Sequence, residues 1–220
     1  PDFDCRKFNV DCQFGAIKCQ NGRIKVNPFL CEGCSLCREV LPSGVVEMKK
    51  VVNGQLRVKK DIHGFPLVSG RLFPGQTGSG KIVDEIIKYG QKFESRIRLI
   101  DIPAGIGCPV TAGLKEADYV VLVTEPTPTG KADLERILTV ANNFNLPWRL
   151  VINKFDINDS FSNRIIRFSG DKFLGKISYD KNVLTSLSKL QPVVKSDLKI
   201  NREIEKICQR LLNWINDDFC

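Results

Sequence analysis

The spacing of apolar and polar residues changes along the chain near residue 60. Before that point apolar residues come in short pieces broken by Gly, Pro and Cys, as in Phe14-Gly15-Ala16-Ile17 and Ser43-Gly44-Val45-Val46. So small a core needs a metal staple. From about residue 65, apolar runs alternate with stretches of helical period, the pattern of βαβ units and a mainly parallel sheet. Runs at 97–102, 119–124, 149–152 and 173–177 are rich in Val, Ile and Leu and apolar on both faces, which predicts buried parallel strands. Helices are predicted at 82–89 and 132–143, the second placing Leu134, Ile137, Leu138 and Ala141 on one stripe. A last helix at 200–215 carries Ile200, Ile204, Ile207, Leu211 and Ile215 on one face and turns Arg202, Glu203, Lys206 and Arg210 outward. Acidic residues on its polar face favour packing on the sheet over lying on a membrane.

With 220 residues, 42% of them hydrophobic, the chain can build one ordinary α/β domain and a small satellite. No apolar run approaches the roughly 18 residues of a membrane span, and the first residues lack a signal pattern, so a cytoplasmic protein is expected. The net charge of +8 comes from 33 Lys and Arg against 25 Asp and Glu. The basic residues are scattered and not interleaved with aromatics, so they predict a solvated surface and no specific nucleic-acid partner. The chain begins at Pro1 and its single methionine is Met48, from which loss of the natural beginning is expected.

The nine cysteines, without a secretion signal, point to metal ligation or redox chemistry rather than a disulfide framework. Five fall between Cys12 and Cys37. Cys31-Glu32-Gly33-Cys34-Ser35-Leu36-Cys37 is C-x2-C-x2-C, three thiolates that curl around one compact object. A cubane suits that triplet better than a zinc ion, which takes two separated pairs, although a structural zinc site stays open as the alternative. In two-cluster ferredoxins the fourth ligand comes from the end of the other motif. The segment Cys12-Gln13-Phe14-Gly15-Ala16-Ile17 resembles such an end, which implies one [4Fe-4S] cluster on Cys12, Cys31, Cys34 and Cys37. The same spacing would assign a second cluster to Asp2, Cys5, Phe8 and Leu41. Phe8 and Leu41 cannot bind iron, so that cluster is expected to be absent. Cys19 and Cys108 are expected to be buried thiols, Cys208 part of the core, Cys220 a terminal thiol and His63 a loop residue.

Four further stretches carry a family resemblance: Asp101-Ile102-Pro103-Ala104-Gly105-Ile106-Gly107-Cys108-Pro109-Val110, Val123-Thr124-Glu125-Pro126-Thr127-Pro128-Thr129-Gly130, Val151-Ile152-Asn153-Lys154-Phe155-Asp156 and Leu174-Gly175-Lys176-Ile177-Ser178-Tyr179-Asp180. With the cysteine segment upstream, the chain resembles MinD/ParA-type P-loop ATPases that carry an inserted ferredoxin domain, over about residues 1–190. The resemblance implies ATP and Mg²⁺ as cofactors, with Asp101 holding the metal or its water in the catalytic role. It implies that Asn153 reads the nucleotide base, its amide offering both donor and acceptor, with Asp156 beside it. A redox partner protein and a nucleotide-dependent homodimer are the partners it suggests.

In that family the ATP-binding loop, a glycine-rich turn with two lysines, lies on a first strand upstream of the insert. Nothing in residues 1–220 matches it, so an α/β fold with its first strand missing is expected, with ATPase competence hanging on an upstream loop. The expected organisation is a ferredoxin-like iron-sulfur segment at 1–60 and an incomplete MinD-like α/β domain at 61–220, coupling nucleotide state to the cluster. Gly75-Gln76-Thr77-Gly78-Ser79-Gly80-Lys81-Ile82 reads as G-x4-G-K, which makes Gly80 and Lys81 candidate phosphate ligands. Ile82 stands where Ser or Thr should meet Mg²⁺, and a helix-capping loop is the other reading. One rival function is a GTPase using 75–81 as its P-loop and Asn153-Lys154-Phe155-Asp156 as an N-K-x-D guanine reader. Another is a non-enzymatic redox or scaffold protein.

Overall fold

The computed structural model describes residues 3–8, 11–62, 64–193 and 199–217; Asp2, His63 and Cys220 lie outside them. The chain divides into two compact units, one of residues 1–102 with 107–113, the other of 103–106 with 114–220.

The first unit opens with a single 3-10 turn, Cys5–Lys7, capped by the Asp4 side chain, which accepts from the Arg6 N–H. Strands β1 (Ile17–Gln20) and β2 (Arg23–Val26) form an antiparallel hairpin, with Gln20 opposite Arg23. Its two-residue turn, Asn21-Gly22, has positive φ at both positions, 51° and 74°, as the tight hairpin turn matched to strand twist requires. Cys5, 1% exposed, is joined by a disulfide to Cys19 on β1, and its N–H donates to the Gly22 carbonyl at 3.1 Å. Helix α1 (Leu36–Val40) follows. Strands β3 (Gly54–Ile62) and β4 (Phe65–Leu72) then make a longer hairpin with a register shift between Lys59 and Ile62. Helix α2 (Ser79–Gly90) packs on β4 where Gly70 leaves room, since a Cβ there would stand 2.7 Å from Ile86 Cδ1 and 2.8 Å from Ile82 Cγ1.

The strand predicted at 97–102 does not form, because a strand needs a neighbour for its backbone groups and none of the described strands pairs with this segment. Ile97 and Leu99 are exposed, Leu99 at 86%, while Ile100 and Ile102 are half-buried. Helix α3 (Cys108–Lys115) comes next.

The second unit alternates strand and helix, with α5 and α6 joining the elements the periodicity predicts: β5 (Val120–Thr124), α4 (Pro128–Asn143), β6 (Trp148–Asn153), α5 (Asp159–Ser169), β7 (Phe173–Ile177), α6 (Asn182–Ser188) and α7 (Lys199–Asp217). The sheet is parallel, in the order β5-β6-β7, with helices flanking it. Central β6 buries Leu150, Val151 and Ile152 on both faces. Edge strand β5 departs from the expected two-sided burial: Val120, Leu122 and Thr124 are buried, while Val121 is exposed and Val123 is 64% exposed. Helix α4 starts with Thr127, whose hydroxyl accepts from the Gly130 N–H at 3.0 Å, followed by Pro128 in the first turn.

Helix α7 packs on the sheet as its stripe predicts, Ile207 meeting Val151 and Leu174 with Ile177 and Leu211 beside them. Two of its polar residues turn inward against expectation. Arg210 donates to the Leu174 carbonyl at 3.0 Å, and the Glu203 carboxylate accepts from both the N–H and the hydroxyl of Ser178 at 2.8 Å. Cys208 is exposed rather than in the core, because it follows the contact residue Ile207 by one step, which turns it about 100° off the buried line. Both tryptophans lie in this unit: Trp214 meets Tyr119 edge to face at 4.9 Å with the Arg149 guanidinium 4.2 Å above its ring, and Lys172 sits 4.4 Å over Trp148. No helix of the described residues is long and apolar enough to cross a membrane.

Candidate functional sites

In the first unit Cys12, Cys31, Cys34 and Cys37 line one cavity of about 1330 Å³, and all four are free thiols. The backbone turns sharply around them. Gly15, Gly33 and Ser35 have φ of 64°, 60° and 67°, the Gly15 N–H donates to the Cys12 carbonyl at 2.7 Å, and Ser35 precedes α1, which carries Cys37. Among the described residues, no three His, Cys, Asp or Glu side chains are gathered closely enough to hold a metal ion. The four thiols therefore share a cavity without forming a closed cage. Their chemistry, four soft thiolate donors, suits an iron-sulfur cluster.

The described positions of the second motif, Cys5, Phe8 and Leu41, have apolar or disulfide roles. Leu41 is 6% exposed and Phe8 stacks on Phe3 at 5.0 Å. Cys5 is spent on Cys19, which is a disulfide partner and not the buried thiol expected from its failure to match a ligand position. A single disulfide thus stands beside cysteines that were expected to serve metal ligation or redox chemistry rather than a disulfide framework. Cys108 is also exposed rather than buried, standing at the first position of α3, where a Cβ on Gly80 would lie 3.1 Å from its Cβ.

The 75–81 loop lies against the cysteine segment. Thr77 Oγ1 donates to the Cys31 carbonyl at 2.6 Å, the Gly78 N–H donates to Glu32 Oε2 at 2.8 Å, and Lys81 Nζ donates to the Gly33 carbonyl. Asn53 Nδ2 holds the Thr77 carbonyl at 3.0 Å. Ile82 packs on Gly70, which accounts for an apolar residue where a P-loop carries a hydroxyl. At the 3-10 turn, the Arg6 guanidinium, hydrogen-bonded to Asp4 and joined by the Arg6 N–H, pulls the Asp4 carboxyl down to about 2. Asp101 is exposed at the end of the unpaired 97–102 segment.

The second candidate site lies at the carboxyl ends of β5, β6 and β7, where ligands of open parallel sheets bind. Asn153 ends β6, half-buried. Lys154, held at φ 52°, pairs through Nζ with Glu125 Oε1 at 2.7 Å just after β5. Asp156 Oδ1 accepts from the Tyr179 N–H at 2.7 Å just after β7. Lys176 Nζ sits 3.9 Å over the Phe155 ring, and Ser162 Oγ donates to the Phe155 carbonyl at 2.6 Å. The loop carrying Asn153 is thus tied to both neighbouring strand ends. The predicted base-reading residues belong to this unit, while Cys12, Cys31, Cys34, Cys37, Lys81 and Asp101 belong to the other. Sequence reasoning did not single out Glu32, Asn53, Thr77 or Glu203. Thr77 lay inside the G-x4-G-K stretch and Glu32 inside the cysteine motif, while Glu203 was expected to face outward.

No known family profile matches the chain. It is 36% identical over 122 residues to a septum-site MinD protein of Nephroselmis olivacea, covering 51% of this chain and 42% of that one. Among solved structures, the cell division ATPase MinD of Pyrococcus furiosus superposes with a TM-score of 0.52 at 20% identity, over 61% of this chain and 59% of that one. The uncharacterized proteins MJ0578 and MJ0579 of Methanocaldococcus jannaschii are 31% identical over 211 residues and 33% identical over 208 residues. These alignments cover 96% and 94% of this chain, and 72% and 71% of those proteins. The chain therefore has the fold of the MinD-type P-loop ATPases and belongs to the family of MJ0578 and MJ0579.

Proposed function

We propose that this chain is an iron-sulfur protein in which a MinD-like nucleotide-binding unit is coupled to a single [4Fe-4S] cluster held by Cys12, Cys31, Cys34 and Cys37. The observation that carries the reading is the sharing of one cavity by the C-x2-C-x2-C cysteines and Cys12, none of them in a disulfide. Closure of the turns at Gly15, Gly33 and Ser35 would bring the sulfurs together, with ligand bonding supplying the ordering free energy. Such a cluster carries one electron at a time. With one centre per chain, that electron would pass to a separate redox protein.

On the nucleotide side, Asn153 is the proposed base reader, and Asp101 the proposed holder of Mg²⁺ or its water. Nucleotide-dependent pairing of two copies is part of the same proposal. The GTPase alternative needs Asp156 to take two adjacent guanine N–H groups while Oδ1 of the same carboxylate accepts from the Tyr179 N–H. The GTPase alternative also loses its phosphate loop, since Thr77, Gly78 and Lys81 donate to the cysteine segment.

Anaerobic reconstitution with iron and sulfide tests the cluster. Broad absorption in the visible and about four iron atoms per chain are expected, with both lost in Cys34→Ser and Cys12→Ser. Colourless protein binding about one zinc would support the structural-metal alternative and end this reading. Binding of fluorescent ATP and GTP analogues, weakened by Asn153→Ala, tests the nucleotide half.

A further inference from the structure

We propose that the 75–81 loop is a positioning clamp for the backbone between Cys31 and Cys34, and that it does not cradle a nucleotide phosphate. A G-x4-G-K loop binds phosphate because its N–H groups and its lysine converge on one anion at a helix N-terminus. Here the three donors act on three consecutive residues of the cysteine loop: Thr77 on the Cys31 carbonyl, Gly78 on the Glu32 carboxylate and Lys81 on the Gly33 carbonyl. The place of the anion at the positive end of α2 is filled by Glu32. An incoming phosphate would compete with a carboxylate tethered to the same chain, and so present at high effective concentration. Ile82, packed on Gly70, adds no metal-binding hydroxyl.

Cys31 and Cys34 bracket the clamped residues. Fixing Glu32 and Gly33 from one side sets where both sulfurs are carried, and it places the Lys81 ammonium beside the loop that would bear a negatively charged cluster. Outer contacts of this kind orient metal ligands and tune their centre. Asn53 anchors the clamp in turn, through the Thr77 carbonyl.

The tuning role rests on the cluster proposed above, whereas the clamp itself does not, and the experiment separates them. In metal-free protein, the rates of iodoacetamide alkylation at Cys31 and Cys34 are read by mass spectrometry against exposed Cys208 as internal reference. Lys81→Met and Thr77→Val should accelerate both, and Lys81→Arg should restore the wild-type rate. In reconstituted protein, Lys81→Met should speed iron loss to a chelator by about 10- to 100-fold and lower the reduction potential, with Lys81→Arg close to wild type. ATP-analogue affinity should be the same in all three variants. Alkylation unchanged in both Lys81→Met and Thr77→Val overturns the clamp, as does loss of nucleotide binding in Lys81→Met with the cysteines unaffected. If wild-type protein takes up no iron, the cluster reading fails and the alkylation rates still decide the clamp. Thr77→Val, nearly isosteric, serves should Lys81→Met not fold.

Discussion

The Gly78 N–H donates to the Glu32 carboxylate at 2.8 Å, across 46 residues of chain. The positive end of a twelve-residue helix is thereby joined to the centre of a cysteine motif. A charge-assisted bond at a helix N-terminus stabilises by hydrogen bonding and by the helix dipole together. Glu32→Ala should therefore destabilise the first unit by about 1–2 kcal/mol, and Glu32→Gln, which keeps an acceptor oxygen, by clearly less. Urea denaturation of metal-free protein, followed by amide exchange on α2, checks both. Equal losses would show that the carboxylate's charge contributes nothing.

The disulfide between Cys5 and Cys19 closes a loop with a sequence separation of 14, for which the chain-entropy relation gives about 3 kcal/mol. Reduction by dithiothreitol should lower the denaturation midpoint of the wild type and leave a Cys5→Ser, Cys19→Ser double variant unmoved. The variant should match the reduced wild type.

The two faces of α7 predict opposite results within one helix. Ile207→Ala removes a side chain packed on Val151 and Leu174 and should cost about 2–5 kcal/mol in the second unit. Leu212→Ala, at a residue 44% exposed, should stay within about 0.5 kcal/mol. Thermal melts of the two variants give the comparison.

Asp4 titrates at about 2 in the folded chain against 3.8 in the unfolded one, because of its hydrogen bonds from Arg6. A depressed carboxyl contributes stability that is present above 3.8 and lost as pH falls through about 2. Arg6→Gln should return the Asp4 midpoint toward 3.8, as read from carboxyl-carbon NMR shifts, and the stability that the depressed carboxyl contributes above that pH should be lost with it.

The second unit was readable from spacing because its strands are apolar in runs and its helices amphipathic. Strand β7 falls where the run at 173–177 placed it, and β6, read from the run at 149–152, ends on Asn153 with Asp156 just beyond. The first unit was less readable. The hairpin of β3 and β4 left a period-two signal in Gln55-Leu56-Arg57-Val58-Lys59 that the surrounding polar residues diluted. The run at 97–102 looked like a strand because hydrophobicity records what a segment could bury, not whether a neighbour is there to pair with it. The Cys5–Cys19 bond could not be deduced, since spacing does not fix connectivity. The hold of Thr77, Gly78 and Lys81 on residues 31–33 lies in tertiary geometry alone. Their sequence spelled a phosphate loop, and folding put a different anion in it.

The two indole rings of this protein, Trp148 and Trp214, both sit in the β5-β6-β7 unit, each beneath a cation. Intrinsic emission excited at the red edge of the aromatic band therefore reports on that half alone, and the cysteine half is dark in it. An unfolding curve followed by fluorescence and one followed by far-ultraviolet dichroism will diverge wherever the two halves melt separately, so their separation measures cooperativity without any label.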